Sequence, residues 1–284
     1  MKYLMVLTYA VLATSTVFAA DHGPVFSYAT PVNSERELSF DTGIFGRNGS
    51  QGTQLSTGSG FGYGVTPHLT LNAFLPASFG SGNLPESRMS GSEWSAGASW
   101  RFLHSVRTVG TRIESTASLG LVVPGPQQES GVLGTLHRAP GVAGTLVTGL
   151  ASRRQYVWVG GGYSRFAVAS NDRRPDTLSW SAVYGYRPTR FRRGYDQWDY
   201  RGFAELTGEH TGGVVSGGQI LPNSSTTTVW LGPSVLAIYK NIAIEGGVQG
   251  PLFRDVSESV YGRECVRFAI NLSYLKYSSH TSSH

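Results

Sequence analysis

One stretch near the C-terminus constrains the fold more than any other. Within Glu264–Tyr274, apolar and aromatic side chains alternate with polar ones such as Arg267 and Asn271. Alternation with a period of two residues is typical of a β-strand that has two different faces. An apolar face opposite a face that carries arginine fits a wall between lipid and water, although a surface strand of a soluble sandwich has the same pattern. The number of times the pattern recurs decides between these interpretations.

The alternation recurs along the whole chain and predicts twelve strands, each followed by glycine, proline or asparagine in a turn or loop. We expect Pro76 to end the third strand, and Gly160–Gly162 indicates a bulge in the seventh. The predicted strands are 38–45, 55–63, 69–75, 94–102, 112–121, 142–150, 156–166, 178–186, 200–209, 227–238, 242–249 and 264–274.

The connections between the predicted strands differ in length in a regular way. Those after odd-numbered strands are mostly long, and four of the five after even-numbered strands are short. An even number of strands with long outer loops and short periplasmic turns is typical of outer-membrane barrels. The sequence therefore predicts an all-β protein, a single closed antiparallel transmembrane β-barrel. The long connections are 77–92, 123–140, 209–226 and 251–263.

The N-terminus has the features of a secretory signal peptide. Lys2 supplies a positive charge, an apolar run follows from Tyr3 to Ala13, and we expect cleavage near Ala19/Ala20. The chain then divides into a signal peptide (1–19), a periplasmic lead (20–37), an outer-membrane barrel (38–277) and a polar tail (278–284).

The composition supports an exported barrel. Charged residues make up 14% of the chain, against roughly 25% in an average soluble domain. No stretch beyond the N-terminus reaches the apolar length of a membrane helix. The net charge is +5, but export makes nucleic acid an unexpected partner. Cys265 is the only cysteine, so we do not expect disulfides to hold the fold.

Charged residues on the predicted inward faces are the candidate functional residues. An arginine that faces lipid at mid-membrane costs about 2–4 kcal/mol, so we expect these charges to line the lumen. They form either a paired network that holds the barrel together or a path that selects solutes by charge. The set comprises Asp41, Arg101, Arg112, Glu114, Arg201, Glu205, Glu209, Glu245 and Arg267.

Arginines outside the strands have two further interpretations. Those of the long loops are suited to pairing with the phosphates of lipopolysaccharide, and comprise Arg88, Arg138, Arg173 and Arg174. Those of the connection after the eighth strand form a solvated turn or a docking surface for an acidic partner, and comprise Arg187, Arg190, Arg192 and Arg193.

The sequence motifs of common enzymes are missing. G-x-S-x-G, C-x-x-C and H-E-x-x-H do not occur, and the histidines have no metal-ligand spacing. We therefore expect a protein that is not an enzyme and has no catalytic residue, metal or cofactor. One enzyme hypothesis stays open, a lipid-modifying barrel with His137 or His210 as the base of a site assembled in space.

Several blocks of sequence resemble a known family. The blocks are Gly23–Phe26 with Ala29–Pro31, and the runs 110–127, 171–188 and 232–255. They resemble a group of bacterial outer-membrane β-barrels that is similar to the transporters named after the MetA pathway of phenol degradation. The resemblance implies a barrel with a transport role, and it implies neither a particular solute nor catalytic residues.

These observations predict a monomeric barrel that passes a small solute, with an aromatic compound as one option, by a passive or gated route. We expect it to contact outer-membrane lipid and lipopolysaccharide, and to meet the barrel-assembly machinery through its terminal strand, Val266–Tyr274. The alternative is a structural or adhesive barrel with a plugged lumen that acts through its loops.

Overall fold

The computed structural model describes residues 23–50, 52–82, 93–108, 110–125, 135–191, 196–257 and 261–276. The predicted signal peptide, its cleavage site and the polar tail lie outside the described residues, as do Arg88, Arg192 and Arg193.

Twelve long antiparallel strands close into one barrel, which confirms the predicted fold class. Neighbours around the barrel follow the order β1-β14-β13-β12-β9-β8-β7-β6-β5-β4-β3-β2, and β10 and β11 form a separate small hairpin in one loop. None of the described residues belongs to a helix that is long and apolar enough to cross a membrane. The strands are β1 (Leu38–Gly49), β2 (Gly52–Thr66), β3 (Leu69–Gly82), β4 (Trp94–Thr108), β5 (Thr111–Val123), β6 (Gly141–Ala151), β7 (Gln155–Phe166), β8 (Thr177–Tyr186), β9 (Asp199–Thr211), β10 (Val215–Ser216), β11 (Gln219–Ile220), β12 (Thr226–Tyr239), β13 (Ile242–Val256) and β14 (Glu264–Lys276).

The two ends of the barrel have different connections. At the short-turn end, most strands are joined by two or three residues, and only 187–198 is longer, with a 3-10 turn at Thr189–Phe191. At the opposite, long-loop end, all connections except the one between β1 and β2 are longer. These are 83–93, 124–140, 167–176, 212–225 and 257–263. Several strands extend beyond their predicted ends, so the loops at 77–92 and 251–263 are shorter than expected.

The outer surface of the barrel is apolar. Leu119, Leu146, Val235 and Ile270 are each more than half exposed, and other large apolar side chains alternate with them along the strands. Leaving so many apolar side chains in water would forfeit the free energy that burial provides, about 25 cal/mol per Å². This exterior is the surface that a barrel embedded in lipid requires.

Pro76 does not end the third strand, so that prediction was wrong. In the described residues, β3 pairs with β4 only over Leu69–Phe74, whereas its pairing with β2 continues through Pro76 to Gly82. The second half of β3 is therefore a sheet edge on its β4 side. Proline is tolerated at such an edge because no ladder hydrogen bond is required there.

The predicted bulge at Gly160–Gly162 is also wrong. Strand β7 pairs with β6 and with β8 along its length without a register shift. Its two even-numbered glycines face inward, where they lie against Tyr28 from the N-terminal part of the chain. A Cβ atom at Gly162 would collide with the Tyr28 hydroxyl, so glycine here provides space for another segment.

The segment predicted as a periplasmic lead lies inside the barrel from residue 23 onward. Residues 23–37, called the inner segment below, contain buried Phe26, Tyr28, Thr30 and Asn33. Nothing in the strand pattern indicated this position, because the segment has no alternation of its own. Its apolar side chains pack against inward-facing residues, and its backbone donors find partners on the wall.

Candidate functional site: the inner segment in the lumen

The inner segment follows the inside of the barrel wall from β13 back to β1. It begins at Gly23, whose N–H donates to Glu245 on β13 over 3.3 Å. It ends beside the short-turn end, where the Arg36 N–H donates to the Gly64 carbonyl over 2.7 Å. Between these points it contacts side chains of β9, β8, β7, β5 and β3. Most of the barrel wall thus takes part in holding one short segment.

Glu205 binds the inner segment most directly. Its Oε1 accepts from the Val25 N–H over 3.0 Å, and its Oε2 accepts from the Phe26 N–H over 2.8 Å. Ser234 of β12 also donates to this carboxylate. The residue is fully buried, where a polar group left without a hydrogen bond is costly. Glu205 therefore fixes two consecutive backbone amides of the inner segment.

An apolar cluster supports the middle of the inner segment. Tyr28 and Ala29 pack with Trp158 of β7, Phe203 of β9 and Leu236 of β12. The Tyr28 N–H also donates to Ser181 over 2.9 Å. Phe26 belongs to a separate cluster with Phe45 and Ala269. The interior of this barrel is thus partly a packed hydrophobic core.

Thr30 joins the inner segment to a network of charged side chains near the short-turn end of the barrel. Its carbonyl accepts from Thr116 over 2.5 Å, and its hydroxyl accepts from the Trp158 indole over 2.9 Å. The same hydroxyl lies 3.4 Å from Glu114, which is 1% exposed. Glu114 in turn contacts three basic groups near the short-turn end: Arg101 at 3.0 Å, His104 at 2.9 Å and Arg112 at 3.2 Å.

A second network fills the lumen towards the long-loop end. Arg267 donates to Glu209 over 3.1 Å, to Gln249 over 3.1 Å and to Thr207 over 3.0 Å. Its guanidinium lies 4.3 Å from the ring centroid of Trp230, a cation–π contact. All donors of a buried charge need such partners, because an unpaired buried charge is costly.

One side of the lumen is lined differently. Beyond the charges of Arg101 and Glu114 at their short-turn end, strands β3 to β6 present hydroxyl, amide and small side chains inward, and we call this part of the surface the hydroxyl wall. Between it and the inner segment lies a cavity of about 20 Å³, room for roughly one water molecule. Asn72 donates to Ser99, and Ser99 bonds to Ser118, so polar groups continue across three strands. The wall residues at the cavity are Thr70, Asn72, Ser99, Thr116, Ser118, Thr145 and Val147.

The opposite side consists of large and charged side chains, and we call it the packed wall. It comprises the inward faces of β7–β9, β12–β14 and β1, including Trp158, Glu205, Trp230 and Arg267. The inner segment lies between the two walls.

The long loops are tied to one another at Asp172. Its Oδ2 accepts from the His137 backbone N–H over 2.9 Å and contacts the His137 ring over 2.8 Å, and its Oδ1 accepts from the Gly217 N–H over 2.8 Å. These hydrogen bonds, chiefly those from the two backbone groups, lower the pKa of Asp172 from 3.8 to about 2. Three loops therefore meet on one ionised carboxylate.

The two histidines of the enzyme hypothesis lie in different surroundings. His137 binds Asp172, and this contact helps to connect the long loops. His210 lies on β9, where its ring contacts the Thr227 hydroxyl over 2.8 Å. Within the described residues, no group of three or more His, Cys, Asp or Glu side chains is arranged to hold a metal ion.

The structure places the predicted inward charges as follows. Asp41, Glu114, Glu205, Glu209, Glu245 and Arg267 are buried inside the barrel. Arg101 is largely buried near the short-turn end, and Arg201 lies there with Asp199 at 3.1 Å. The Arg112 side chain is about half exposed, at 49%, so it belongs to the rim.

Sequence reasoning missed several interior charges. Arg47 and Glu264 form a buried ion pair of 2.6 Å, and Glu93 pairs with Arg138 at 2.7 Å and with Arg174. Continuing the first predicted strand by two residues would have included Arg47, which shares the face of Asp41. Glu264 lies three residues before inward-facing Arg267, so simple alternation excludes it. The pairing of β1 with β14 shifts here, because consecutive residues Asn48 and Gly49 pair with Val266 and Glu264. This bulge in β14 lets Glu264 and Arg267 both face inward.

Comparisons of sequence show no related protein. Neither models of known protein families nor curated proteins give a match to this chain.

Comparisons of structure show barrels of the same fold. An outer membrane channel from Pseudomonas putida F1 superposes over 90% of this chain and 100% of that chain, with 12% identity and a TM-score of 0.61. The NanC porin superposes over 83% of this chain and 98% of that one, with 8% identity and a TM-score of 0.51. LpxR from Salmonella typhimurium has 11% identity over 82% of this chain and 99% of that chain, with a TM-score of 0.46, which supports no conclusion about this chain. At these identities the similarities show the fold alone.

Proposed function

We propose that this protein is a channel of the bacterial outer membrane whose inner segment closes the lumen and moves to admit a small solute. The observation that carries the proposal is the position of residues 23–37 between the hydroxyl wall and the packed wall. The apolar exterior, the predicted signal peptide and the fold similarity to an outer membrane channel support it. So does the resemblance of several sequence blocks to the MetA-pathway family.

The route through the barrel follows the hydroxyl wall in this proposal. The wall carries neutral hydrogen-bonding groups at the cavity, whereas the packed wall carries charged side chains such as Arg267 and Glu209. Neutral groups exchange hydrogen bonds with a solute without a large cost of ion desolvation. The proposed solute is therefore small and uncharged with a hydrogen-bonding group, and a phenol-like aromatic compound has that chemistry.

The surroundings of the barrel follow from the same proposal. The barrel is a monomer in lipid, with Arg138, Arg173 and Arg174 of the long loops directed to the lipopolysaccharide side. Assembly proceeds through the terminal strand, Val266–Tyr274. Arg174 is buried against Glu93, so its role is to order the loops, and the charge offered to phosphates comes from Arg138 and Arg173.

The test is conductance in planar bilayers together with uptake of neutral solutes by liposomes. The intact protein is compared with a variant that lacks residues 24–33. We expect small, infrequent openings from the intact protein and about tenfold larger conductance from the deletion variant, because a twelve-stranded barrel without filling leaves a continuous lumen. Equal conductance and equal uptake from the two proteins would contradict the proposal.

A plugged barrel that acts through its loops is the second candidate. The observation that favours it is the number of wall contacts made by the inner segment, from Gly23 to Asn33. In that case, the deletion of 24–33 opens the barrel without affecting the biological role, and shortening the loops 167–176 and 212–225 removes it. A strain that depends on the protein for growth or adhesion distinguishes the two candidates.

A further inference from the structure

One buried acceptor in the lumen differs from the polar groups around it. Asn33, near the end of the inner segment, is 1% exposed. Its backbone N–H donates to Thr70 of β3 over 2.9 Å, and its side-chain nitrogen donates to Ser39 of β1 over 2.9 Å and to the Glu37 carbonyl over 3.5 Å. Its Oδ1 has no hydrogen-bond partner in the part of the chain that the structure describes. Leaving a buried acceptor unpaired is costly, so Oδ1 indicates a ligand that donates a hydrogen bond.

The orientation of the Asn33 amide follows from the groups beside it. The Glu37 carbonyl can only accept a hydrogen bond, so it must face the amide nitrogen and not the amide oxygen. Exchanging the two atoms would place two acceptor oxygens against each other. The nitrogen is therefore turned towards Glu37 and Ser39, and Oδ1 is the atom left without a donor.

The cavity beside the hydroxyl wall gives a ligand access to this residue. Asn33 lines the cavity together with Asn72, Ser99 and Ser118. Asn72 donates to Ser99, and Ser99 and Ser118 share one hydrogen bond of 2.9 Å. That bond uses one of their two hydroxyl hydrogens, so the pair can donate the other to a ligand. The cavity thus offers an acceptor and a donor, which together match a hydroxyl group.

The rest of the cavity favours an uncharged organic compound. All the residues that line it are uncharged. An ion would lose its hydration there without a compensating charge, which is costly. Pro31, Val32 and Val147 belong to the same lining and offer apolar contacts to a carbon skeleton. The volume of about 20 Å³ accommodates one hydroxyl oxygen, so the skeleton lies against these apolar residues when the inner segment shifts.

We propose that this cavity binds the hydroxyl group of an uncharged organic compound, with Asn33 Oδ1 as the acceptor that determines specificity. A compound without a hydrogen to donate, such as an ether or a ketone, leaves Oδ1 unpaired and binds more weakly. The inference rests on the proposed function, because the compound bound here is taken to be the solute that the barrel passes. Asn33 also attaches the inner segment to β1 and β3, so recognition and closure meet at one residue.

The first measurement is equilibrium dialysis of radiolabelled phenol against the folded barrel in detergent, with empty micelles as the background. Fluorobenzene has nearly the size and shape of phenol but no hydroxyl group. We expect unlabelled phenol to displace the label with saturation, and fluorobenzene to compete at least about tenfold more weakly. Equal competition by the two compounds, or no saturable binding of phenol, would overturn the proposal. This comparison uses the wild-type protein and does not depend on the folding of any variant.

Two variants separate the acceptor from the attachment of the inner segment. Asn33→Leu removes Oδ1, and we expect it to bind phenol roughly tenfold more weakly. Ser39→Ala removes a partner of the Asn33 nitrogen and leaves Oδ1 in place, so it should bind phenol as the wild type does even if the barrel is less stable. Equal losses in the two variants would show that the attachment of the segment controls binding. Unchanged binding in Asn33→Leu would show that Oδ1 binds water only. Either result contradicts the proposal.

These results are distinguishable from those of the bilayer experiment. The conductance of the variant that lacks residues 24–33 tests passage through the lumen and does not require phenol to bind. If that variant opens while the wild type does not distinguish phenol from fluorobenzene, the channel stands and the hydroxyl site is overturned. If phenol binds through Asn33 while the deletion leaves conductance unchanged, the hydroxyl site stands and the channel is overturned.

Discussion

The two walls of the lumen differ in the size of their side chains and in how tightly these side chains pack. The packed wall uses Trp158, Glu205 and Arg267 to fill the barrel and to bind the inner segment. The hydroxyl wall carries small side chains such as Ser99 and Ser118, and the residual cavity lies against it. A barrel of one uniform lining would be either a filled structure or an open pore. Under the proposed function, the packed wall stabilises the barrel and the solute route follows the hydroxyl wall.

The largest effect is expected from removing the clamp on the inner segment. Replacing Glu205 with Ala removes the acceptor for two backbone amides, and a buried donor left without a partner costs roughly 1–3 kcal/mol. We expect the open fraction in single-channel records to rise about tenfold or more.

The matched control for this variant is Glu209→Ala. Glu209 lies on the same strand and the same face, but it pairs with Arg267 instead of the inner segment. This variant should be less stable and should keep the low open fraction. An equal rise in open fraction from both replacements would show that any loss of interior charge opens the barrel, which would remove the distinction between the walls.

A comparable opening is expected from filling the space occupied by Tyr28. Gly162→Val places a side chain where the Tyr28 hydroxyl lies, so the inner segment must shift. Gly60→Ala is the control, because a Cβ there meets its neighbours at 3.6 Å or more, an ordinary contact. We expect increased conductance only from the first variant. A closed channel with Gly162→Val would mean that Tyr28 can move without releasing the segment.

Smaller effects are expected from removing one hydroxyl group from each wall, and they compare the two walls directly. Thr145→Val removes a hydroxyl from the cavity lining at nearly constant volume, and we expect a few-fold slower flux of hydrogen-bonding solutes with little loss of stability. Thr207→Val on the packed wall removes a hydrogen bond to Arg267, and we expect a loss of about 1.5–3 kcal/mol in stability with unchanged flux. Unfolding by urea and liposome uptake measure the two quantities. The reverse result would mean that the route follows the packed wall.

The smallest effect concerns the long loops. The pKa of Asp172 is lowered from 3.8 to about 2, so its stabilisation of the loops is complete above pH 3.8 and is lost as the pH falls through 2. Hydrogen exchange of the loop 212–225 should therefore be slow from neutral pH to about pH 4 and fast near pH 2. Asp172→Asn should remove this dependence. Loss of protection already near pH 5 would indicate that another group controls the loops.

The strand pattern predicted the barrel because each strand separates lipid from the interior, so one face is apolar at nearly every position. Even Pro76, where the predicted end was wrong, lies in a strand that alternation identified. Glu264 was missed because a bulge breaks the alternation that located its neighbour Arg267.

The inner segment could not be predicted in the same way. Its backbone bonds to Glu205 and Ser181, which are about 150 to 180 positions away in the sequence. Its own side chains show no period, since it contacts a curved wall and not a flat sheet. Most of the predicted inward charges face the interior, although Arg112 lies at the rim, and the partners of Glu205 and Glu245 come from this segment. Glu205 therefore looked like part of a pore or an ion-pair network, and the structure shows it binding backbone amides.

The position of the inner segment in the folded, membrane-embedded protein is the central claim, and thiol labelling tests it most directly. In a Cys265→Ser background, Ser27→Cys and Glu35→Cys are treated in liposomes with a membrane-impermeant thiol reagent. Ser27 is buried at 7% exposure, whereas Glu35 is exposed in the turn before β1. We predict that the thiol at position 35 reacts rapidly and the thiol at position 27 is protected by about a hundredfold or more, because labelling requires the segment to leave the lumen. Equal, rapid labelling at both positions would contradict a lumen closed by its own N-terminal segment.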